Sequence, residues 1–133
     1  MTVTSIYPVV MSQDVAAATG FFRDLFGFEV VFEADWYASL RRDRWELAFV
    51  DASHPTIPEG FRAPSQGLLI NIEVDDADAE YRRLVVEGGH TPVLDIRSED
   101  FGQRHFILAG PDNVLVDIIS PIPMTGDFAG QDG

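Results

Sequence analysis

The sequence predicts an α+β fold made of two βαβββ modules, and three observations support this prediction. An aspartate opens a helical pattern at Asp14 and again at Asp76, 62 positions further along the chain. Each pattern ends at a glycine, Gly27 in the first copy and Gly89 in the second, with the same separation. Three short β-rich segments follow each helix. Because the unit occurs only twice, it is not a solenoid repeat, and we expect two similar modules packed into one domain with a ligand cavity between them.

The first module is predicted over residues 3–51. A β-rich segment at 5–11 precedes a helix from Asp14 to about Phe26, in which apolar residues recur at helical spacing. Asp14 is expected to cap the free amides at the helix start, and Gly27 supplies a left-handed stop. The three following strands are expected at 28–34, 36–41 and 45–50, with Arg42-Asp43-Arg44 as the polar turn between the last two.

The second module is predicted over residues 67–122. In its first strand, apolar side chains on one face alternate with Leu69, Asn71 and Glu73 on the other. We expect a helix over Asp76 to Glu87 to cover the apolar face, so that the second face meets water or a ligand. The three following strands are expected at 92–97, 104–109 and 114–119, with a turn at Gly110-Pro111-Asp112-Asn113.

Two further segments lack a periodic pattern. Residues 52–66 contain three prolines and are interpreted as the linker between the modules. A connection of this length is typically a lid, a binding loop or a crossover to a partner subunit. The Gly- and Asp-rich segment 123–133 is predicted to be a disordered tail.

The composition excludes several classes of function. The 133 residues suit a single domain, and the absence of cysteine excludes disulfides, thiolate metal sites and thiol catalysis. Nine cationic side chains, all arginine, stand against 22 acidic ones, and the net charge of −13 repels nucleic acid and anionic membranes. That charge either serves solubility or attracts a cationic ligand. We see no secretory signal and no membrane-spanning run, so we expect a cytoplasmic protein.

Two phrases of the sequence resemble those of a known family. The first is Phe21–Phe28 after Asp14, and the second combines Phe101–Phe106 with Gly110–Ile118. In this order they resemble the vicinal-oxygen-chelate superfamily of glyoxalase I, extradiol dioxygenases and bleomycin-resistance proteins, over about residues 3–122. The resemblance implies the glyoxalase/bleomycin-resistance fold, in which the two modules form a curved mixed-sheet cup. The sequence departs from the family pattern at Gly110, Asn113 and Val114, where Asp, Gly and Asn are usual.

The resemblance also implies four positions for a divalent metal, on the first and last strands of each module. Carried over, these positions are Tyr7, Glu46, Leu69 and Asp117. Leucine cannot ligate a metal, and a phenol with a pKa of about 10 is a poor ligand unless ionised. The two carboxylates are fewer than protein metal sites generally use, so we expect no metal and no cofactor. The three histidines lie elsewhere: His54 in the linker, His90 after a helix stop and His105 in a strand.

In a fold of this kind the cup face carries the ligand, and its expected lining is mainly apolar and aromatic with a few polar groups. For Glu46 and Asp117, a hydrogen-bonded strand position is the alternative to ligand contact. Arg104 is expected to pair with a carboxylate, with substrate binding as its alternative, and Trp45 is expected to pack under a helix if Glu46 faces the cup. The candidate ligand-binding residues are Tyr7, Val9, Met11, Phe32, Trp36, Tyr37, Glu46, Phe61, Leu69, Asn71, Glu73, Phe101, Arg104 and Asp117.

The sequence leaves three candidate functions open. The first is a metal-independent protein of the bleomycin-resistance type that sequesters a planar or cationic natural product and so confers antibiotic resistance. The second is a glyoxalase-like lyase, isomerase or dioxygenase that uses Glu46 and Asp117, either with an atypical metal site or as general acid and base. The third is an accessory module that binds a metabolite or another protein. The resemblance further implies a homodimer, and no nucleophile elbow or phosphate-binding glycine motif is present.

Overall fold

The first half of the chain forms a four-stranded mixed sheet covered by one helix. In the computed structural model, which describes residues 1–130, the strand order is β1-β4-β3-β2. Strand β1 runs parallel to β4, and the other neighbours are antiparallel. The elements are β1 (Val9–Ser12), α1 (Val15–Phe26), β2 (Glu29–Glu33), β3 (Tyr37–Arg42) and β4 (Trp45–Asp51).

The second half repeats this topology with the strand order β5-β8-β7-β6, and β5 is again parallel to β8. Two βαβββ modules are therefore present, which confirms the predicted α+β fold class. Residues 1–67 and 110–113 form one compact unit, and residues 68–109 with those from 114 onward form another. The elements are β5 (Leu69–Glu73), α2 (Ala77–Tyr81, continued by a π-helical segment over Arg82–Glu87), β6 (Leu94–Glu99), β7 (Gln103–Ala109) and β8 (Leu115–Pro121).

The helix signals that defined the repeat have the same geometry in both copies. Asp14 accepts a hydrogen bond of 3.0 Å from the backbone amide three residues ahead, and Asp76 does the same at 3.0 Å. After each helix a glycine adopts the left-handed conformation, with φ of 68° at Gly27 and 77° at Gly89. These contacts are local, which is why the sequence alone predicts them. No helix within residues 1–130 is both long and apolar enough to span a membrane.

The helix expected over Asp76–Glu87 is only partly α-helical. It changes to wide π-type turns at Arg82, a difference that the apolar spacing did not indicate. The backbone amide of His90 donates to the carbonyl of Leu84 at 3.1 Å, and a Cβ on Gly88 would lie 2.7 Å from the same oxygen. The wide turns thus end in a close backbone approach that only glycine at position 88 tolerates.

Each unit has its own apolar core between helix and sheet. In the first unit, Phe22 of α1 lies over Phe49 of β4, with ring centroids 5.5 Å apart and both side chains buried. In the second, Tyr81 meets the buried ring of Phe106 edge-on at 5.2 Å. Burying a side chain of this size stabilises a fold by roughly 1.5–3 kcal/mol.

The turn expected at residues 110–113 also anchors strand β1. Asp112 accepts a 2.6 Å hydrogen bond from the hydroxyl of Ser12 and a 2.8 Å bond from the amide of Gln13. Gly110 lies so close to Phe21 that an added Cβ would be 2.9 Å from the ring. The departure from the family pattern at position 110 therefore fits the packing around it.

Trp45 does not pack under a helix, so that expectation is wrong. Its side chain is 56% exposed, and the guanidinium of Arg44 lies 5.2 Å from the ring centroid. Trp45 is the first residue of β4, directly after a turn, whereas the buried part of the strand is Leu47–Val50. The first two residues of the strand, Trp45 and Glu46, are both exposed, and alternation along the strand cannot show this.

The residues after Pro123, expected to be disordered, include a short 3₁₀ turn at Gly126–Phe128. Thr125 donates two 2.8 Å hydrogen bonds to Asp100, one from its amide to the carbonyl and one from its hydroxyl to the carboxylate. The ring of Phe128 lies 6.0 Å from that of Phe101. Residues 131–133 of the expected tail lie outside the described part of the chain.

Candidate ligand-binding site

The first unit contains an open pocket of about 500 Å³, within the size range of small-molecule sites. Strands β1 to β4 supply most of its wall, and the linker supplies the rest. Four of the predicted binding residues meet there. The lining consists of Val9, Phe32, Trp36, Tyr37, Val50, Thr56 and Ile57.

The strand register brings the aromatic rings of the pocket together. Tyr37, the first residue of β3, pairs with Val50 of β4. A register shift between Val30 and Phe32 marks an irregularity in β2 at the position of the phenylalanine. The Tyr37 ring centroid lies 6.3 Å from that of Phe32 and 5.5 Å from that of Trp36. Three rings on adjoining segments thus form one aromatic wall.

The Trp36 indole is held by a residue of the linker. The imidazole of His54 stacks on it at a centroid distance of 3.9 Å and an interplanar angle of 13°. The amide of Thr56 donates to His54 Nδ1 at 3.2 Å, and the hydroxyl of Thr56 lies 2.9 Å from the same atom. An Nδ1 that accepts an amide proton leaves the ring proton on Nε2, so these contacts fix the tautomer as well as the ring plane.

The turn that carries His54 is itself fixed at its start. Both the hydroxyl and the amide of Ser53 donate to the carboxylate of Asp51, at 2.7 and 2.9 Å. These bonds hold the pKa of Asp51 below its ordinary value, with a smaller contribution from His54. A turn ordered in this way presents Thr56 and Ile57 to the pocket in a defined position.

The chemistry of the pocket suits binding by shape and stacking. Its seven lining residues include no carboxylate, amine, guanidinium or imidazole, and the phenol of Tyr37 is the one titratable group among them. Phe32 is 53% exposed and Val9 is 44% exposed, which leaves apolar surface that a ligand can cover. Trp, Tyr and Phe faces stack on flat rings at low entropic cost.

In the second unit, His105, Asp117 and Glu99 form a largely buried hydrogen-bonded network. His105 Nδ1 lies 2.8 Å from Asp117 Oδ1, and His105 Nε2 lies 2.8 Å from Glu99 Oε2. His105 is 5% exposed and Asp117 is 4% exposed. The hydrogen bond from His105, followed by one from Arg97, holds the pKa of Glu99 below its ordinary value. Asp117 is therefore hydrogen-bonded inside the unit, and it is not a lining residue of the pocket.

The register also shows which residue of the first unit corresponds to Asp117. Val9 and Asn71 each lie five residues before their capping aspartate, and they pair with Ala48 and Asp117 respectively. Ala48 is thus the structural counterpart of Asp117. Glu46 lies two residues earlier on β4, where it is exposed and accepts a 2.8 Å hydrogen bond from the hydroxyl of Ser5.

The donors at the four positions carried over from the family do not fit a divalent metal. Tyr7 precedes β1 and is 47% exposed, Leu69 has no donor atom, and both oxygen-bearing strand residues already accept hydrogen bonds. Within residues 1–130 no group of three or more His, Cys, Asp or Glu side chains is arranged to hold a metal ion. These four positions therefore do not provide the set of ligating side chains that a protein metal site needs.

Two predicted residues of the second unit already have partners. The guanidinium of Arg104 donates to both carboxylate oxygens of Asp78 at 2.8 to 3.1 Å, which lowers the pKa of Asp78. Phe101 is 44% exposed and meets both Phe128 and His105 edge-on. Beyond the pocket, Tyr7, Met11, Glu46 and Phe61 lie in the first unit, and Leu69, Asn71, Glu73, Phe101, Arg104 and Asp117 lie in the second.

Sequence reasoning missed several residues that the structure places in these sites. Val50, Thr56 and Ile57 line the pocket, and His54 stacks on Trp36, which is one of the lining residues. The two prolines that flank Thr56 and Ile57 hinted at an ordered turn. His105 gave no such hint, because its link to Asp117 depends on the register of β7 and β8.

Comparison with known proteins identifies the class to which this fold belongs. The model of the Glyoxalase/Bleomycin resistance protein/Dioxygenase superfamily matches residues 6–118. The chain therefore belongs to this superfamily, which confirms the resemblance read from the two sequence phrases. No curated protein matches the chain.

Solved structures share the fold at low sequence identity. A virulence protein from Salmonella typhimurium superposes with a TM-score of 0.72 at 16% identity, over 92% of this chain and 100% of that one. A lactoylglutathione lyase from Agrobacterium tumefaciens gives 0.70 at 18% identity, over 90% and 96%. An integron cassette protein from V. cholerae gives 0.68 at 17% identity, over 90% and 97%. At these identities the likeness establishes the fold.

Proposed function

We propose that this protein binds a planar aromatic small molecule in the pocket of its first unit, without a metal, and confers resistance by sequestering a natural product such as an antibiotic. The observation that carries the proposal is the pocket wall, in which the rings of Phe32, Trp36 and Tyr37 adjoin and no charged side chain is present. Membership of a superfamily that includes bleomycin resistance proteins supports the same conclusion.

The energetics favour a flat ligand over a purely cationic one. Covering apolar surface stabilises a complex by about 25 cal/mol per Å², and a well-placed aromatic pair adds about 0.5–1.5 kcal/mol. Cation binding by direct ion pairing has no partner among the seven lining residues. The net charge of −13 still attracts a cationic compound over long range, so a positive group outside the stacked ring is compatible with the proposal.

The two tryptophans permit a matched fluorescence test. In the Trp45→Phe variant, Trp36 is the remaining indole, and bleomycin-like, mitomycin-like and enediyne compounds are titrated against it. We expect saturable quenching with at least one class, because stacking on the indole changes its emission. The Trp36→Phe variant retains the exposed Trp45 as a reporter and should give little change. Absence of binding across all three classes would contradict the proposal.

The enzymatic alternative is a lyase, isomerase or dioxygenase that uses Glu46 and Asp117. It requires both carboxylates to be available, whereas each accepts a hydrogen bond within the chain. Metal analysis of the purified protein separates the two functions. Stoichiometric nickel, zinc, iron or manganese, together with turnover that chelation abolishes, would favour the enzyme.

A homodimer forms part of the proposal and rests on the family resemblance alone. The chain mass is 14.7 kDa, so light scattering coupled to size-exclusion chromatography distinguishes a monomer from a homodimer directly. We expect a particle of twice the chain mass, since family resemblance implies paired chains. A particle with the mass of one chain at micromolar concentration would contradict the homodimer and would leave the proposed ligand binding in the pocket unaffected.

A further inference from the structure

The geometry points to His105 as the internal partner that occupies Asp117 and Glu99 and so keeps a divalent metal from the second unit. This inference rests on the metal-independent form of the proposed function and assigns that independence to one side chain. Among the residues of the second unit, Asp117 is the carboxylate that the family resemblance places at a metal position. What holds that carboxylate therefore decides whether a metal can bind there.

The first step is the occupancy of the imidazole. Its Nδ1 is 2.8 Å from Asp117 and its Nε2 is 2.8 Å from Glu99, so each ring nitrogen faces a carboxylate oxygen. A histidine ligates a metal through an unprotonated ring nitrogen. A ring that directs both nitrogens at carboxylates has none to offer, and it lies between the two acidic groups that a metal would need.

The second step is the burial of the network. The side chains of His105 and Asp117 are each 6% exposed and that of Glu99 is 18% exposed, so water competes weakly for these bonds. Arg97 donates a further 2.8 Å bond to Glu99. A divalent ion would have to displace the imidazole to reach the two carboxylates together, and it would share Glu99 with this arginine.

The third step is the shortage of other donors nearby. On β5, the neighbour of Asp117 in the register is Asn71, and Leu69 stands at the second position implied by the resemblance. The ring of Phe101 lies 6.5 Å from the ring of His105 and is apolar. If the imidazole is removed, Asp117 loses its partner in the network and Glu99 keeps Arg97, so two carboxylates face the vacated space, which is an arrangement that attracts a cation.

Metal uptake by wild type and His105→Ala tests the inference. Both proteins are stripped with a chelator, dialysed against excess Zn²⁺, Ni²⁺ or Mn²⁺, passed through a desalting column and measured for bound metal. We expect less than about 0.1 metal per chain for wild type, and an increase of at least fivefold for His105→Ala. Zn²⁺ should also raise the Tm of that variant, because an ion that binds only the folded state stabilises it. His90→Ala serves as the matched histidine control and should resemble wild type.

Either of two metal-uptake results would overturn the inference. One is about one tightly held metal per wild-type chain, and the other is no gain by a folded His105→Ala protein. If that variant does not fold, side-chain ¹H–¹⁵N spectra of wild type give the answer, since added Zn²⁺ should leave the His105 signals unchanged, and a shift would contradict the inference. Ligand quenching of Trp36 in the same samples reports the proposed function separately, because that residue lies in the other unit.

Discussion

The two modules share a fold but differ in where their polar groups lie. In the first, an aspartate caps the helix, the sheet position that corresponds to Asp117 is Ala48, and aromatic side chains surround an open pocket. In the second, an equivalent cap begins the helix, but the same sheet position carries Asp117 in a buried network with His105. A duplicated backbone thus supports an open apolar surface in one copy and a closed polar cluster in the other.

This difference teaches that the residues at equivalent strand positions, more than the shared fold, decide whether a module has an open apolar pocket or a closed polar cluster. Alanine at position 48 is buried and brings no polar side chain that needs a partner. Aspartate at position 117 requires a partner once it is buried, and His105 supplies it. Four predictions test the contrast, and they are given in order of decreasing effect.

The largest effect is expected from Asp117→Asn. The change replaces the carboxylate that faces the buried Nδ1 of His105 with a neutral amide, and weakening a hydrogen bond to a carboxylate in this way costs about 2 kcal/mol in the free energy of unfolding. Urea unfolding measures it. The matched control is Asp78→Asn, which breaks an exposed pair with Arg104 and should cost no more than about 1 kcal/mol. Equal losses in the two variants would show that the buried network stabilises the fold no more than the exposed ion pair does.

The second prediction compares two exposed phenylalanines, one in each module. Phe32→Ala removes a ring from the pocket wall, and we expect the affinity for a planar ligand to fall about tenfold, equivalent to about 1.4 kcal/mol. Phe101→Ala, in the second module, should leave the affinity unchanged. Titration of Trp36 fluorescence in the Trp45→Phe background measures both. Loss of binding in Phe101→Ala alone would move the site to the second module.

The third prediction concerns the feature in which the modules agree. Asp14→Ala and Asp76→Ala each remove a 3.0 Å capping bond, and each should lower the free energy of unfolding by about 1 kcal/mol. Chemical denaturation of the two variants should give similar losses. Asp75→Ala, at the exposed neighbouring aspartate, is the control with little expected change. A clearly unequal pair of losses would show that the repeat differs even in its caps.

The smallest effect is a dependence on pH in the second module. The pKa of Glu99 is depressed in the folded protein by its bonds from His105 and Arg97. Its stabilising contribution is therefore complete above the unfolded value of about 4.3 and is lost as the pH falls through the lower folded value. The difference in stability between wild type and Glu99→Gln should shrink below about pH 4. A difference that stays constant from pH 7 to pH 3 would contradict this assignment.

Several parts of the site could be predicted from the sequence because they depend on residue type alone. The sequence shows several aromatic residues near Trp36, and it predicts Val9, Phe32, Trp36 and Tyr37, all of which line the pocket, as ligand contacts. The contribution of Thr56 was not visible, because a linker without periodicity gives no indication of the strand against which it packs. The sequence predicts Glu46 and Asp117 at equivalent positions, and only the strand register shows that Ala48 is the residue that corresponds to Asp117.

The sequence by itself determined the duplicated module, its helix caps and its glycine stops, because these depend on contacts within a few residues of the chain. It also determined the family, through phrases that span both copies. Only the tertiary structure decided that His105 binds Asp117, that Trp45 is exposed and that the linker completes a pocket. Those features depend on which strand positions become neighbours, and a shift of two residues along a strand changes a side chain's partners while leaving the local pattern intact.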